Sequence, residues 1–162
     1  MSDSRSPGRL IRELLAAVME RDAAAAADLY APDAVHRNPF RPGRPSVRGR
    51  RAIRRHYLEG VCSAPVRFHA VDPLVIHELP ENGVAVAEFT MNGVVLGSRE
   101  PYNPCFVLVL RARDGLIEEL RDYEDIGARP TAPGREGRAS DTKAGPAGEN
   151  TTTKGAQPWT SD

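Results

Sequence analysis

The sequence predicts an α+β domain in which N-terminal helices cover one face of a curved antiparallel sheet. Three observations predict it. Helix-spaced apolar residues are confined to about the first 60 positions, and strand-type runs follow one another after that. This segregation favours α+β over an alternating parallel sheet. The chain closes with a hairpin: the apolar run Cys105–Leu110 and the segment Leu116–Asp125 flank Asp114-Gly115. Asp-Gly supplies the positive φ that a tight hairpin turn demands. A sheet folded round helices also leaves a cone-shaped interior, a natural small-molecule pocket.

The elements follow in order. Leu10, Ile11, Leu14, Leu15 and Val18 recur at helical spacing, with Arg9, Arg12, Glu13 and Glu20 on the other faces, so residues 8–21 form an amphipathic helix. Asp22 caps a second, alanine-rich helix through Ala23–Leu29, which stops at Ala31-Pro32. Ala34–Asn38 is a short strand. The following Pro39–Pro45, with three prolines and a glycine, is a loop or lid. Gly49 precedes a third helix over about 50–60, with Ile53 and Tyr57 on one face among four arginines. Val66–Glu78 is a strand interrupted near Asp72-Pro73, and Pro80–Gly83 is a turn. Val84–Thr90 is a strand that Met91–Leu96 continues after a kink at Asn92-Gly93, and Ser98–Pro104 breaks the pattern.

The 162 residues suggest one domain over 8–127, with disordered segments at 1–7 and 128–162. The C-terminal stretch is rich in Gly, Pro, Thr, Ala and charge and offers little to bury, Trp159 being isolated in it. Net charge is zero, which gives no field to recruit nucleic acid or a membrane surface. No apolar run reaches the ~20 residues that span a bilayer, and no signal-peptide pattern opens the chain. A cytoplasmic protein is the simplest expectation. Cys62 and Cys105 are too few for a disulfide scaffold and read as small buried thiols. His36, His56, His69 and His77 show no zinc-type spacing, so no metal or other cofactor is expected. The Arg48–Arg55 cluster lacks interleaved aromatics for base stacking and reads as a solvated helix face.

Chemistry is expected at the end of the last strand. Simple alternation places Leu116, Glu118, Leu120, Asp122 and Glu124 on one face and Arg121 and Asp125 on the other. Asp122 is either a solvated strand-end charge or a carboxyl on the core side. His36 and Asn38, two apart on a strand, share a side and could hydrogen-bond a substrate carbonyl. Tyr57 either lines the pocket or packs as core. Tyr102 stands before the penultimate strand as a rim contact or a packing aromatic. Glu88, on an apolar strand, is a second candidate carboxylate.

Several stretches carry a family resemblance over roughly residues 8–127. They are Leu29–Val35, Asn38-Pro39-Phe40, Arg48–Ile53, Asp114–Ile117 and Leu120–Asp125. Together they resemble the nuclear transport factor 2-like superfamily, which includes ketosteroid isomerase and the SnoaL-like polyketide cyclases. The ending Arg121–Asp125 is similar to that of limonene-epoxide hydrolases, where the first Asp is catalytic and pairs with an Arg-x-Asp on an earlier strand. The counterpart here is Glu88-Phe89-Thr90. The Asn38–Arg48 loop and Tyr102-Asn103 look like the phenazine-biosynthesis A/B proteins, where a Glu at the place of Asp122 acts as acid/base.

The resemblance implies a cone-shaped α+β barrel, a homodimer through the outer sheet face, and a cofactor-free enzyme of secondary metabolism, antibiotic biosynthesis included. It implies an isomerase or cyclase acting on an apolar small molecule through a buried carboxyl, either Asp122 or Asp125. His36, Asn38, Tyr57, Glu88 and Tyr102 would bind the substrate. The first rival is an epoxide hydrolase or epoxide-opening cyclase, which needs Glu88 and Arg121 to reach the cavity. The second is a non-catalytic binding module.

Overall fold

The computed structural model describes residues 5–128; the segments before and after, with Trp159, lie outside the described residues. Helix α1, Pro7–Glu20, starts where the Ser6 hydroxyl accepts from the Arg9 amide. It ends at Arg21, whose φ of 59° turns the chain out of the helix. Its apolar stripe, Leu10, Ile11, Leu14 and Leu15, is fully packed. Each such side chain contributes roughly 1.5–3 kcal/mol of burial. Helix α2, Ala23–Asp28, is capped by Asp22, whose carboxylate accepts from the Ala24 and Ala25 amides. Helix α3, Arg50–His56, runs on into a wider π-helical turn, Tyr57–Cys62.

The seven strands are β1 (Tyr30–Arg37), β2 (Ser46–Arg48), β3 (Val66–Leu79), β4 (Val84–Val95), β5 (Pro101–Tyr102), β6 (Cys105–Arg113) and β7 (Leu116–Glu124). They form one curled sheet in the order β2-β1-β7-β6-β4-β3, with β5 alongside β4. The expected run of consecutive antiparallel strands is present in β3, β4, β6 and β7. The sheet as a whole is mixed, because β1 joins β7 in parallel. Long β4 runs unbroken through Asn92-Gly93. In β3 the pairing with β4 shifts between Val71 and Leu74, at the Asp72-Pro73 interruption.

The closing hairpin turns as its sequence demands: Asp114 and Gly115 have φ of 53° and 72°. Three residues beyond the turn the simple alternation fails. Glu119 pairs with Arg111 and Ile117 with Ala112, so Glu118 is an extra residue, a β-bulge. Parity flips there. Ile117, not Leu116, is buried, and Leu120 three residues later is buried on the same side. From Leu120 onward the expected face holds and carries Asp122 and Glu124 inward.

The inner face of β4 supplies Ala85, Ala87, Phe89 and Met91, and β6 supplies Leu108 and Leu110. Helix α1 packs across β3, β4, β6 and β7, whereas α3 packs on α2 and β1. Polar groups on the inward faces of β1 and β7 are therefore set among apolar neighbours.

Candidate active site around Asp122

Parallel pairing sets the site. His36 stands beside Leu120 and Arg37 beside Arg121, so the next residue, Asn38, runs up to Asp122. The Asn38 amide donates to Asp122 Oδ2 at 3.2 Å. His36 Nε2 lies 3.9 Å from the same oxygen. The Asp122 side chain retains 18% exposure, whereas His36 and Asn38 are buried.

Two tyrosines complete the group. Tyr30, at the start of β1, brings its hydroxyl within 3.1 Å of His36 Nδ1. Tyr57, at the α3–π-turn junction, brings its hydroxyl within 2.8 Å of that of Tyr30. The His56 ring lies 4.8 Å from the His36 ring, centre to centre.

Electrostatics fix the charge of the imidazole. Burial, then the positive fields of His56 and Arg41, lower the His36 pKa to about 3. His36 is neutral at physiological pH, and its approach to Asp122 is a contact with a neutral ring, not an ion pair. Burial and Arg41 also lower His56. Burial, then the field of Tyr57, raises the Tyr30 hydroxyl well above its ordinary range. Burial also raises Tyr57, partly offset by its hydrogen bond to Tyr30. Both phenols remain proton donors.

Beyond Asn38 the proline-rich loop folds over the ends of β6 and β7. Arg41 grips buried Glu124, with Nε and Nη2 at 3.1 and 3.0 Å from Oε2. The Phe40 ring meets Tyr123 edge-on at 5.1 Å. An open cleft of about 740 Å³ lies there, lined mainly by loop residues 39–44 and by Phe106, Tyr123 and Glu124. Its lining includes neither Asp122 nor His36, so the cleft is separate from the Asp122 cluster.

The structure brings together Asp122, His36, Asn38 and Tyr57 from among the expected site residues. Glu88 does not join them. It lies on the outer face of β4 and is 61% exposed, with His77 at 3.5 Å. The cause is strand parity, since Ala87 and Phe89 on either side take the inward positions. Tyr102 is buried against Phe68 and sits opposite Gly93. Asp122 instead pairs with Leu108, itself opposite Ala87, well back along β4. Asp125 is exposed past the end of β7, where its carboxylate accepts from the Gly127 amide. Arg121 is also exposed. The cysteines are less buried than expected, Cys105 being exposed because it starts β6 beside the open cleft.

Sequence reasoning missed Tyr30, His56 and the Arg41–Glu124 pair as members of the site. Tyr30 stands six residues before His36, and nothing local reveals that its hydroxyl faces both His36 and a helix residue far along the chain.

Residues 11–120 match the model of the SnoaL-like domain. The chain belongs to the SnoaL-like family. The uncharacterized protein YesE of Bacillus subtilis (strain 168) is 25% identical over 127 residues, covering 76% of this chain and 84% of YesE. Among solved structures, a candidate isomerase from Bacillus subtilis superposes with a TM-score of 0.69 at 23% identity, covering 79% of this chain and 92% of that one. A candidate polyketide cyclase from Pseudomonas putida superposes at 0.63 and 18% identity, covering 76% and 94%. An LEH-like epoxide hydrolase from M. tuberculosis superposes at 0.59 and 20% identity, covering 75% and 84%. At these identities the structural matches establish the SnoaL-like cone fold, which hosts several chemistries. Among the described residues no helix is long and apolar enough to cross a membrane.

Proposed function

We propose that this SnoaL-like protein is an isomerase or cyclase of secondary metabolism that moves a proton on an apolar carbonyl compound, with Asp122 as general base and then general acid. The observation that carries this reading is the convergence of Asn38 Nδ2 and His36 Nε2 on Asp122 Oδ2, inside an apolar face and beside the one partly open carboxylate of the group. A carboxylate so placed removes a proton from the carbon next to a substrate carbonyl. The C–H electron pair becomes the enolate π bond, and the charge collects on the carbonyl oxygen. In this reading the polar groups of His36 and Asn38 beside Asp122 hydrogen-bond that oxygen. Where the substrate carries a C=C bond one carbon further on, the enolate is a dienolate, and Asp122 returns its proton at the γ carbon, which shifts the double bond and isomerises the substrate. In a cyclase the enolate carbon instead attacks a second carbonyl within the same molecule, and Asp122 protonates the new alkoxide. A positioned acid/base of this kind contributes ~100- to 10,000-fold.

Placement of the side chains favours this reading over epoxide opening. The epoxide mechanism asks for an acid and a cation beside Asp122, and Glu88 and Arg121 both face outward. The homodimer through the outer sheet face is part of the proposal, with Val75 and Leu79 exposed on β3.

Deuterium incorporation tests it. Cyclic ketones and β-keto esters are incubated with the full chain in heavy water, and α-hydrogen exchange is followed by NMR. Wild type is expected to accelerate exchange of at least one ketone, and Asp122→Asn to lower that rate ~100-fold or more. Exchange no faster than buffer across the panel, or full exchange by Asp122→Asn, would overturn the proposal and leave a binding module.

A further inference from the structure

The chain Tyr57–Tyr30–His36 has a direction, and the direction can be read from its two ends. His36 is neutral, so one ring nitrogen carries a proton and the other a lone pair. If Nδ1 carried the proton, Nδ1–H would donate to the Tyr30 oxygen and the Tyr30 hydroxyl to the Tyr57 oxygen. The Tyr57 hydroxyl proton would then need a further acceptor. Tyr57 is buried, and Tyr30 is its hydrogen-bond partner among the described residues, the Asp122 carboxylate acting on it only through its field. A buried donor left in that state costs ~1–3 kcal/mol. The same arrangement would also point the Nε2 lone pair at the Asp122 carboxylate 3.9 Å away.

The opposite direction removes both faults. Tyr57 donates to Tyr30 across 2.8 Å, and Tyr30 donates to Nδ1 across 3.1 Å. The ring proton then sits on Nε2 and faces Asp122 Oδ2. What remains unused is a lone pair on Tyr57, which is far cheaper to bury than a proton.

We infer that Tyr30 and Tyr57 are positioning residues that hold His36 in the Nε2–H tautomer and so aim a neutral proton donor into the Asp122 site. Two arguments from opposite ends of the chain agree on it. Nε2 is buried and has no hydrogen-bond partner of its own among the described residues, as a donor held for a bound oxygen would have. Neutrality suits a donor that is to keep its proton, because a neutral N–H is too weak an acid to surrender it to a developing oxyanion. The tautomer assignment stands on the hydrogen-bond geometry of a ring that burial keeps neutral; its use in turnover rests on the function proposed above.

The test is the nitrogen-15 spectrum of the histidine rings in the full chain, with His36 assigned by His36→Asn. At neutral pH, His36 is expected to show a protonated Nε2 and a lone-pair Nδ1 that is shifted by accepting a hydrogen bond. A protonated Nδ1, or two averaged resonances, would overturn the inference. In Tyr30→Phe the Nδ1 resonance should move towards the value of an unbonded lone-pair nitrogen, and an unmoved resonance would remove Tyr30 from the role. Tyr57→Phe should move it the same way by less, since Tyr30 then donates without a partner polarising it. It also serves if Tyr30→Phe does not fold, and no movement would break the chain's direction. None of these readouts needs a substrate, so they fail or succeed apart from the exchange assay.

Discussion

Arg21 and His36 are both polar side chains drawn into the body of the domain, and they are treated in opposite ways. Arg21, at the left-handed end of α1, donates to the Val66 carbonyl at 3.0 Å, to the Ala64 carbonyl at 3.1 Å and to the Cys62 carbonyl. It ties the helix end to the π-turn and to the start of β3. Three carbonyls that close a loop are satisfied by one charge, and the guanidinium is left with little to offer a ligand. His36 is more deeply buried, yet only one of its nitrogens is engaged. The contrast separates a group that holds the fold from one held by it: the first is saturated, while the second keeps an unused valence towards Asp122.

Four measurements sharpen or break this comparison. The largest expected effect is a pH dependence. The His36 pKa is about 3 in the folded protein against an ordinary 6.5, so the unfolded chain binds the extra proton in the window between them. Stability contributed by the neutral ring is complete above about pH 6.5 and is lost as the pH falls towards 3. Urea unfolding should show wild type losing about 3 kcal/mol more than His36→Leu between pH 7 and pH 4. Parallel losses would mean that the ring is not held neutral by the fold.

Next comes Arg21→Met, which strips three carbonyls of their donor. A loss of about 2–3 kcal/mol at pH 7 is expected, and a loss below about 0.5 kcal/mol would end its role as a clamp. His36→Leu at the same pH should cost about 1–3 kcal/mol, because the buried Tyr30 hydroxyl loses its acceptor. The smallest effect is that of Asp122→Asn, within about 0.5 kcal/mol, although the same change is expected to remove exchange activity. A site built for function gives up little stability when it is disarmed.

Much of this was legible in the sequence, for reasons that can be located. Asp114-Gly115 adopts the two positive φ values that its residue types favour, and the stripe Leu10–Leu15 packs as its spacing requires. Asp22 caps α2 with its own carboxylate. These are local signals, and local chemistry determines the outcome. The placement of β1 beside β7 was not legible, because a strand's alternation says which face it buries and nothing of its neighbour. The bulge at Glu118 was equally silent: a single extra residue reverses parity, and no residue type announces it. At the site, His36 and Asn38 could be paired by counting along one strand. Their meeting with Asp122 depended on a parallel register, and Glu88 was misplaced because an apolar strand hides which of its two faces is inward. Tyr30 was overlooked for the same physical reason, since its two partners come from different elements.

The parallel β1–β7 pairing has a consequence for how the protein comes into being. Asn38 and Asp122 are separated by 84 positions, and the strand that joins their neighbourhoods is the last one synthesised within the domain. A nascent chain has its helices and the β3–β4 hairpin early, since these need only nearby residues. Beyond its pairing with β2, the first strand waits until β7 emerges to lie between β1 and β6, and only then can Asp122 meet Asn38. At ~5–20 residues per second the wait from β1 to β7 is several seconds. A chain interrupted before that moment lacks the Asn38–Asp122 contact, so the assembly of this cluster coincides with the closing of the sheet.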